Sequence, residues 1–575
     1  MRLYSLFRTI PPSCGPNFGV KQSRRVSCAA LILALSVGAA PPQSCPAGST
    51  FAVWARSRST GSQSREPWAC TDSAGRVFFV EAPPFQLPEP VFNVRTYGAT
   101  GDGRADDLRS IMAAYAAATA KSVPLATLYF PPGKWRTSDA IVLDHPIRIL
   151  IDSGSLVTAG PYAFVFKRGS DGSFIRGRNG ATLLARDRPK STGALLYIDS
   201  SSRISISELD IDGNGDRASV RSEHAHGILL KSSSDLLLKN LYIHGNQGDA
   251  IDIYGVGVDR VRVENVYVRD LGRAGLDLTH LSGAGLSVNN FACSVGNRVS
   301  TVSEGECVHS EPAGSEVSTS DWHFSNLFLD GAGIGVASNS VGGMVKTVSI
   351  SDFRIRVGNA NGISIAGAQD VTISDGDILG DSSAGASTFV AIKVSEIKPV
   401  ARTGRVQVSR VHIRNFRVPK KAGVIYLTSS ANDGNQAFGH VTLGPGITIE
   451  QALGGSAIYF ATEWPYVSIV GDTIRHVADR CIVFNAGAVH FDVLNNVCTD
   501  YGSAGVEVVA RNRPVSDGRI LNNELMPNVP KGKIGINLPG DPLVARVLVN
   551  NNKTEGNEWP LVVGKKSKST VKQPQ

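Results

Sequence analysis

LLLKNLYIHGNQGDAIDIYGVGVDRVRVENVYVRDLGRAGLDLTH (residues 236–280) holds two successive copies of one pattern. Each copy opens on apolar-x-apolar-x-Asn-apolar-x-apolar, as in LLLKNLYI (236–243) and VRVENVYV (261–268). A turn then leads into a second, shorter apolar-x-apolar run. Alternation of this kind marks a strand with one buried face. The frame recurs in LSVNNFAC (286–293) and WHFSNLFL (322–329), with Asn240, Asn265, Asn290 and Asn326 at matching places. Later copies include VSISDFRI (348–355), FDVLNNVC (491–498) and VLVNNN (547–552). Uninterrupted copies lie 25 residues apart. One such unit cannot bury its inward side chains alone, so successive units must stack into a solenoid. The asparagines at the bends are expected to form a ladder of side-chain amides, a structural role.

Composition agrees with a long, repetitive all-β chain. Of 575 residues, 60 are glycine, 19% are charged and 7% are aromatic. The formal charge of +8 comes from the two ends. Residues 1–40 carry five basic and no acidic side chains, and the tail GKKSKSTVKQPQ (564–575) carries four lysines. The body between them is close to neutral, so charge gives no argument for nucleic acid or a membrane surface as partner.

KQSRRVSCAALILALSVGAAPP (21–42) reads as an export signal, with a basic start, an apolar run over Val26–Ala40 and small residues at Ala39 and Ala40. The run is too short and poorly flanked for a membrane span. Its arginine pair also fits a twin-arginine signal. A secreted or periplasmic protein is expected. The leader as a whole is expected to span residues 1–40 and holds Cys14 and Cys28; the other six cysteines fall into neighbouring pairs, Cys45/Cys70, Cys293/Cys307 and Cys481/Cys498. In an oxidising compartment these are candidate disulfides. Residues 41–90 are expected to be an extended, disulfide-tied lead-in and linker, with GRVFFVE (75–81) a lone strand. The tail 564–575 is expected to be disordered.

Residues 91–563 form the repetitive body. It begins with FNVRTYGATGDGRADDLRSIMAAYAAATAK (92–121) and LYFPPGKWRT (128–137). Asp106 or Asp107 is placed to accept hydrogen bonds at a helix start, and Ile111, Met112, Tyr115 and Ala118 make an apolar stripe able to cover an open first coil. These stretches, with the repeats, resemble the right-handed parallel β-helix (pectin lyase-like) superfamily typified by pectate lyases and polygalacturonases. The resemblance implies a right-handed parallel β-helix with an N-terminal capping helix.

The second strands can be laid over one another. Their middle positions read Leu229, Asp252, Asp277, His309, Gly335 and Ser364 along successive coils. Two acids and an imidazole then share one outward row, about 4.8 Å apart. Crowded carboxylates split their pKa values, leaving one protonated and one ionised. Glycoside hydrolysis needs such a pair. Asp252, Asp277, His309 and Asp249 are therefore the candidate catalytic residues. His226, Lys231, Tyr254, His280, Glu306 and Glu311 flank the row as candidate substrate-binding residues. Polygalacturonases are similar in carrying aspartate, aspartate and histidine on successive coils. Here Ala250 stands two residues before the first aspartate, Leu276 precedes Asp277, and the histidine lies in VHS.

The leading expectation is an exported, monomeric, polygalacturonase-like glycoside hydrolase acting on a polysaccharide, with no cofactor. Two alternatives stay open. A polysaccharide lyase acting on a uronate polymer would use Lys231 or Arg273 as base, and calcium held by Asp249, Asp252 and Asp277. A non-catalytic carbohydrate-binding or exopolysaccharide-assembly protein would use the face as a ruler. Asp210 and Asp212 in LDIDGNGD are expected in a turn, and His224 and His226 have metal-like spacing without a third ligand.

Overall fold

The computed structural model describes residues 87–564, with internal breaks of which 215–221, 295–305, 382–388 and 430–438 are among the longest. It also describes four short strands outside that range, Thr50–Ala52, Ala69–Thr71, Val77–Phe79 and Lys568–Val571. The expected leader, Cys45 and most of the lead-in lie outside the described residues.

The repeats stack as parallel coils. One sheet has sixteen strands, from Ile141–Leu143 at one end to Trp559–Val563 at the other. Each of its strands pairs in parallel with the one a coil away, as in Ile251↔Leu276 and Leu276↔Val308. The longer strands of each repeat, such as Leu236–His244, Val261–Arg269 and Gly283–Ser294, build the second large sheet. Inward residues of both sheets meet in one continuous apolar bore, in which Trp135, Trp322, Phe324, Phe460 and Phe484 are fully buried.

At the bends Asn240, Asn265, Asn290 and Asn326 take the left-handed backbone conformation, φ 53° to 56°. Asparagine tolerates this better than most residues because its short amide hydrogen-bonds locally. The amide ladder runs from Asn265 to Asn240 at 3.0 Å and from Asn290 to Asn265 at 2.8 Å. Asn326 breaks it by donating to Asn289 at 2.6 Å.

The one α-helix among the described residues is Leu108–Thr119. It lies against strands Val91–Asn93, Thr127–Phe130 and Ile141–Leu143 of the first coils. Ile111, Ala114, Tyr115 and Ala118 are its buried residues, whereas Met112 is only partly covered. Asp106, not Asp107, accepts from the helix start, at Leu108 N (3.2 Å). Asp107 instead ties down the preceding turn, accepting from Thr100 N at 2.7 Å and Gly101 N at 3.2 Å. Gly101 has φ 64°, and a Cβ there would lie 2.7 Å from the Trp135 ring. Any side chain at that position collides with the first coil's core.

Two expectations at the ends are corrected. Val77–Phe79 is not a lone strand: it pairs antiparallel with Ala69–Thr71, which pairs with Thr50–Ala52. Within the tail, Lys568–Val571 is a strand, pairing in parallel with Val544–Asn550. The last coil offers an unpaired strand edge there, and the tail satisfies its backbone groups.

Of the three expected disulfides, two are present among the described residues, Cys293–Cys307 (Cα–Cα 5.8 Å) and Cys481–Cys498 (6.4 Å). Each short loop so closed stabilises by roughly 3 kcal/mol in the chain-entropy picture. The third, Cys45–Cys70, is not among them. Its partner Cys45 lies outside the described residues, while the backbone of Cys70 is the middle of the Ala69–Thr71 strand, opposite Phe51 on one side and Phe78 on the other. Around Cys70 the described tie is the backbone pairing of a three-stranded sheet.

A second, buried ladder runs near the C-terminal coils. Asn552 accepts from the backbone of Asn523, Asn523 from that of Asn496, and Asn496 from that of Asp472, at 2.9 to 3.0 Å. Asp472 begins this series as a carboxyl, and its Oδ2 is buried without a partner. Burial pushes its pKa up to about 7. A carboxyl with a raised folded pKa loses stability as pH climbs from its unfolded value, near 4, through the folded one. Asp472→Asn should therefore stabilise the protein at pH 8 by about 1–3 kcal/mol, with a smaller gain at pH 4. Thermal unfolding at the two pH values checks this; equal effects at both would contradict it.

Candidate active site

The site grows from five neighbouring coils of the sixteen-stranded sheet. Strands Ala225–Lys231, Ile251–Tyr254, Leu276–Thr279, Val308–Glu311 and Ile334–Ala337 lie side by side. Ile251, Ile253, Leu276, Leu278 and Val308 point into the bore and are buried. The residues between them are thereby turned outward. Leu229 pairs with Asp252, Asp252 with Asp277, and Asp277 with His309. Val308 pairs with Ile334, which sets Gly335 beside His309.

The row faces away from the bore, yet it is not an open surface. Asp252 is 7% exposed and Asp277 0%. Side chains from the turns and the adjoining strand close over them. Arg273, in the turn before Leu276, puts Nη1 3.0 Å from Asp277 Oδ2 and 3.2 Å from Asp249 Oδ2. His226 sets Nδ1 3.1 Å from Asp249 Oδ2 and Nε2 3.7 Å from Asp252 Oδ2. Asp249 is held by the backbone, its Oδ1 accepting from Ala274 N at 2.8 Å. Thr279 donates to Asp277 Oδ2 at 2.9 Å.

Three buried carboxylates thus share one permanent cation and one imidazole. Asp252 Oδ1 and Asp277 Oδ1 have no hydrogen-bond partner. Leaving both groups ionised in such surroundings costs several kcal/mol, so they retain protons instead. Burial is the main cause pushing Asp252 up to about 6; the Asp249 charge adds to it, while His226 opposes. Burial likewise pushes Asp277 up to about 7, with Asp249 adding and Arg273 opposing. Burial alone would lower the His226 pKa, but the hydrogen bond and charge of Asp249 raise it overall.

His309 belongs to a second unit on the next coil. Its Nδ1 lies 3.0 Å from Glu306 Oε2, and both side chains remain partly exposed. Glu306 lies over Gly335, so closely that a Cβ there would overlap its carboxylate. Cys307, between the two residues, is anchored to Cys293 in the bore.

The flanking residues divide. His226 sits inside the acid cluster, whereas Lys231, Tyr254 and Thr279 form the next outward column. Tyr254 and His280 rings approach to 5.2 Å. Glu311 pairs in that column with Thr279, but its side chain lies outside the described residues. His224 and His226 do not act together: His224 is exposed beside Glu223, and His226 is buried. Asp210 and Asp212 belong to strand Ser205–Asp212 of the other sheet rather than to a turn. There Asp210 lies 3.0 Å from His244 Nε2; the turn begins only at Asn214, whose N–H donates to Asp212.

His226, Asp249 and Asp252 bring ligand atoms within 4.8 Å of one another, a donor set that suits a divalent metal. Arg273 supplies positive charge at this point, bridging Asp249 and Asp277. In the sequence Arg273 was legible only as a flanking base; its role as a clamp depends on a turn that folds over the row.

Asp252, Asp277 and His226 all have raised pKa values, so each contributes stability at low pH that is lost as pH rises. For the two acids the loss runs from about 4 to the folded values near 6 and 7. Asp252→Asn should flatten the fall of the unfolding temperature between pH 5 and pH 7. A variant that falls as steeply as the parent would show that Asp252 is not buried with its proton.

The family described as rhamnogalacturonase A/epimerase, pectate lyase-like, matches residues 91–297. Two mannuronan C5-epimerases of Azotobacter vinelandii, AlgE4 and AlgE3, are each 30% identical to this chain, over 189 and 190 residues. Each alignment takes in 32% of this chain, but spans only 27% and 8% of those relatives. Among solved structures, a family 28 exopolygalacturonase of Yersinia enterocolitica is 13% identical, with a TM-score of 0.42, over 68% of this chain and 83% of that one. With its coils paired in parallel register the chain folds as a right-handed parallel β-helix, and over residues 91–297 it is similar to that pectate lyase-like family.

Proposed function

We propose that the protein is an exported enzyme acting on a polysaccharide by general acid–base catalysis, and that the reaction is hydrolysis of a glycosidic bond. The observation carrying this reading is the in-register Asp252–Asp277 pair, buried with raised pKa values, beside a histidine oriented by Glu306. The names of the two Azotobacter relatives, both mannuronan epimerases, support the substrate class. Two buried cystines support export to an oxidising compartment.

Asp252 is the acid that solvent reaches, and protonated below about pH 6 it can donate to a leaving glycosidic oxygen. Asp277 is fully covered, and the charge of Asp252 adds to the burial and the Asp249 charge that raise its pKa. His309 stands two coils from Asp252, roughly 10 Å along the stack, with Nδ1 committed to Glu306. Its Nε2 is then the atom that activates water on the far side of a sugar. The Asp252–Asp277 pair departs from the expected split into one protonated and one ionised aspartate, because burial raises both.

A second reading is favoured by the 30% identity to mannuronan C5-epimerases. The same donors can remove and return a proton beside a uronate carboxylate, giving epimerisation or, with loss of the leaving group, a lyase. Product analysis separates the three. Hydrolysis yields reducing ends alone, a lyase yields unsaturated ends, and an epimerase changes uronate composition at constant chain length.

Asp252→Asn should lower kcat by about 10²–10⁴ without unfolding the protein, and the parent's kcat/KM should fall as pH rises past about 6. An Asp252→Asn variant with full activity removes the assignment. Gly335→Ala should push Glu306 from His309 and depress kcat by about tenfold or more with KM little changed; unchanged kcat would deny His309 its role.

A further inference from the structure

Glu306 reaches its place beside His309 from outside the strand. It stands just before Val308–Glu311, at the exit of an insertion. Ile251 follows Ile243 by eight residues and Leu276 follows Val268 by eight, these being the bore residues on either side of the turn into the first sheet. Cys293 and Val308 continue those two columns, yet Val308 follows Cys293 by fifteen. Backbone pairing does little to fix where this longer turn comes back. Strand Val308–Glu311 has four registered pairs with Leu276–Thr279 but one, Val308↔Ile334, with the following coil. A covalent tie spans the mouth of the insertion, the Cys293–Cys307 cystine. Cys307 lies next to Glu306 and two residues before His309. Its N–H donates to Gly333 O at 3.0 Å, and its carbonyl accepts from Leu276 N at 2.9 Å. Both cysteines are buried in the bore.

We infer that the Cys293–Cys307 cystine is a positioning element of the site, returning the chain from the insertion at the place from which the Glu306 carboxylate meets His309 Nδ1. The inference rests on the hydrolytic reading above; the two cysteines act through Glu306 and touch no substrate. Glu306 Oε2 is 3.0 Å from His309 Nδ1, and the same carboxylate lies over Gly335. A shift of the turn therefore either breaks the contact or drives Glu306 against the next coil. A misplacement of about 1 Å in such an arrangement costs on the order of 10²-fold in rate. Without the cystine, chain entropy favours the many arrangements of a longer turn that leave Glu306 away from the ring. The second cystine supplies a contrast. Cys481 stands directly before strand Ile482–Phe484 of the same sheet, as Cys307 does before Val308. It is tied to Cys498 at a sequence separation of 17, against 14 for the first cystine. Its coil lies six coils beyond that of His309, roughly 29 Å along the stack. The two cystines thus stabilise alike in the chain-entropy picture, and only the first adjoins the site.

The test compares two double variants of the full chain. Cys293→Val/Cys307→Ala keeps the bore filled, since Val268 neighbours Cys293 in its column and Ala250 precedes Ile251 as Cys307 precedes Val308. Cys481→Ala/Cys498→Ala is the control. Both should unfold at a lower temperature than the parent, and both are assayed below that transition. On a polysaccharide that the parent cleaves, the first variant should lose about 10–100-fold in kcat with KM little changed, while the control keeps a kcat near the parent's. Nitrogen-15 NMR of the neutral His309 ring reads the same positioning without turnover. Parent and control should hold the Nδ1–H tautomer that the Glu306 carboxylate selects, and the first variant should show a mixture of both tautomers. A His309 tautomer unchanged in the first variant would overturn the positioning role whatever the rates. Equal losses of kcat in the two variants would also overturn it, because lost stability would then explain both. If the parent cleaves no polysaccharide while its His309 tautomer still depends on Cys293 and Cys307, the positioning stands and the hydrolytic reading falls.

Discussion

Backbone hydrogen bonding between coils is the constraint on which the rest depends. Once Ile251 is paired with Leu276 and Leu276 with Val308, no freedom remains in where Asp252, Asp277 and His309 fall relative to one another. A slip of one residue would turn both isoleucines of the Asp252 strand outward and its aspartate into the bore. The apolar core therefore enforces the crowding of the acids. Their repulsion is a cost borne by the many buried side chains of the stack rather than relieved by local movement.

Charged groups are handled differently on the two sheets. Outside the second sheet, Arg260–Asp235, Arg356–Asp330, Arg410–Asp375, Arg519–Asp492 and Arg546–Asp517 form one-to-one bidentate rungs between coils. Their arginines are at least half exposed, so solvent screens each pair and it adds little stability. On the first sheet the same inter-coil spacing carries three carboxylates around one guanidinium, all buried. Stability alone is served by the first arrangement. The second resembles a site that stores protons, and it occurs where an imidazole is held by a carboxylate on the next coil.

Much of this was legible in the sequence. The 25-residue recurrence of Asn240, Asn265 and Asn290 gives the coil, and the Ile-x-Ile and Leu-x-Leu frames give the register of Asp252 with Asp277. What period-two alternation cannot convey is the covering of an outward residue by turns that break the period. Hence the burial of Asp277 and the clamp made by Arg273 emerge only in three dimensions. Asp107 and Asp106 exchange roles for a similar reason: adjacent acids are equivalent in sequence, and the turn at Gly101 chooses between them. The tail strand Lys568–Val571 pairs with the last coil, an edge that its own lysine-rich composition does not announce.

The central claim is that two adjacent aspartates hold protons near neutrality. Carbon-13 NMR titration of the aspartate carboxyls in the intact protein measures this directly. Three resonances should titrate near 6 and 7, one of them from Asp472; of the other two, one should disappear in Asp252→Asn and the other in Asp277→Asn. If removing either residue deletes only a signal that titrates in the ordinary range near pH 4, the buried proton-bearing pair does not exist, and the catalytic reading built on it fails.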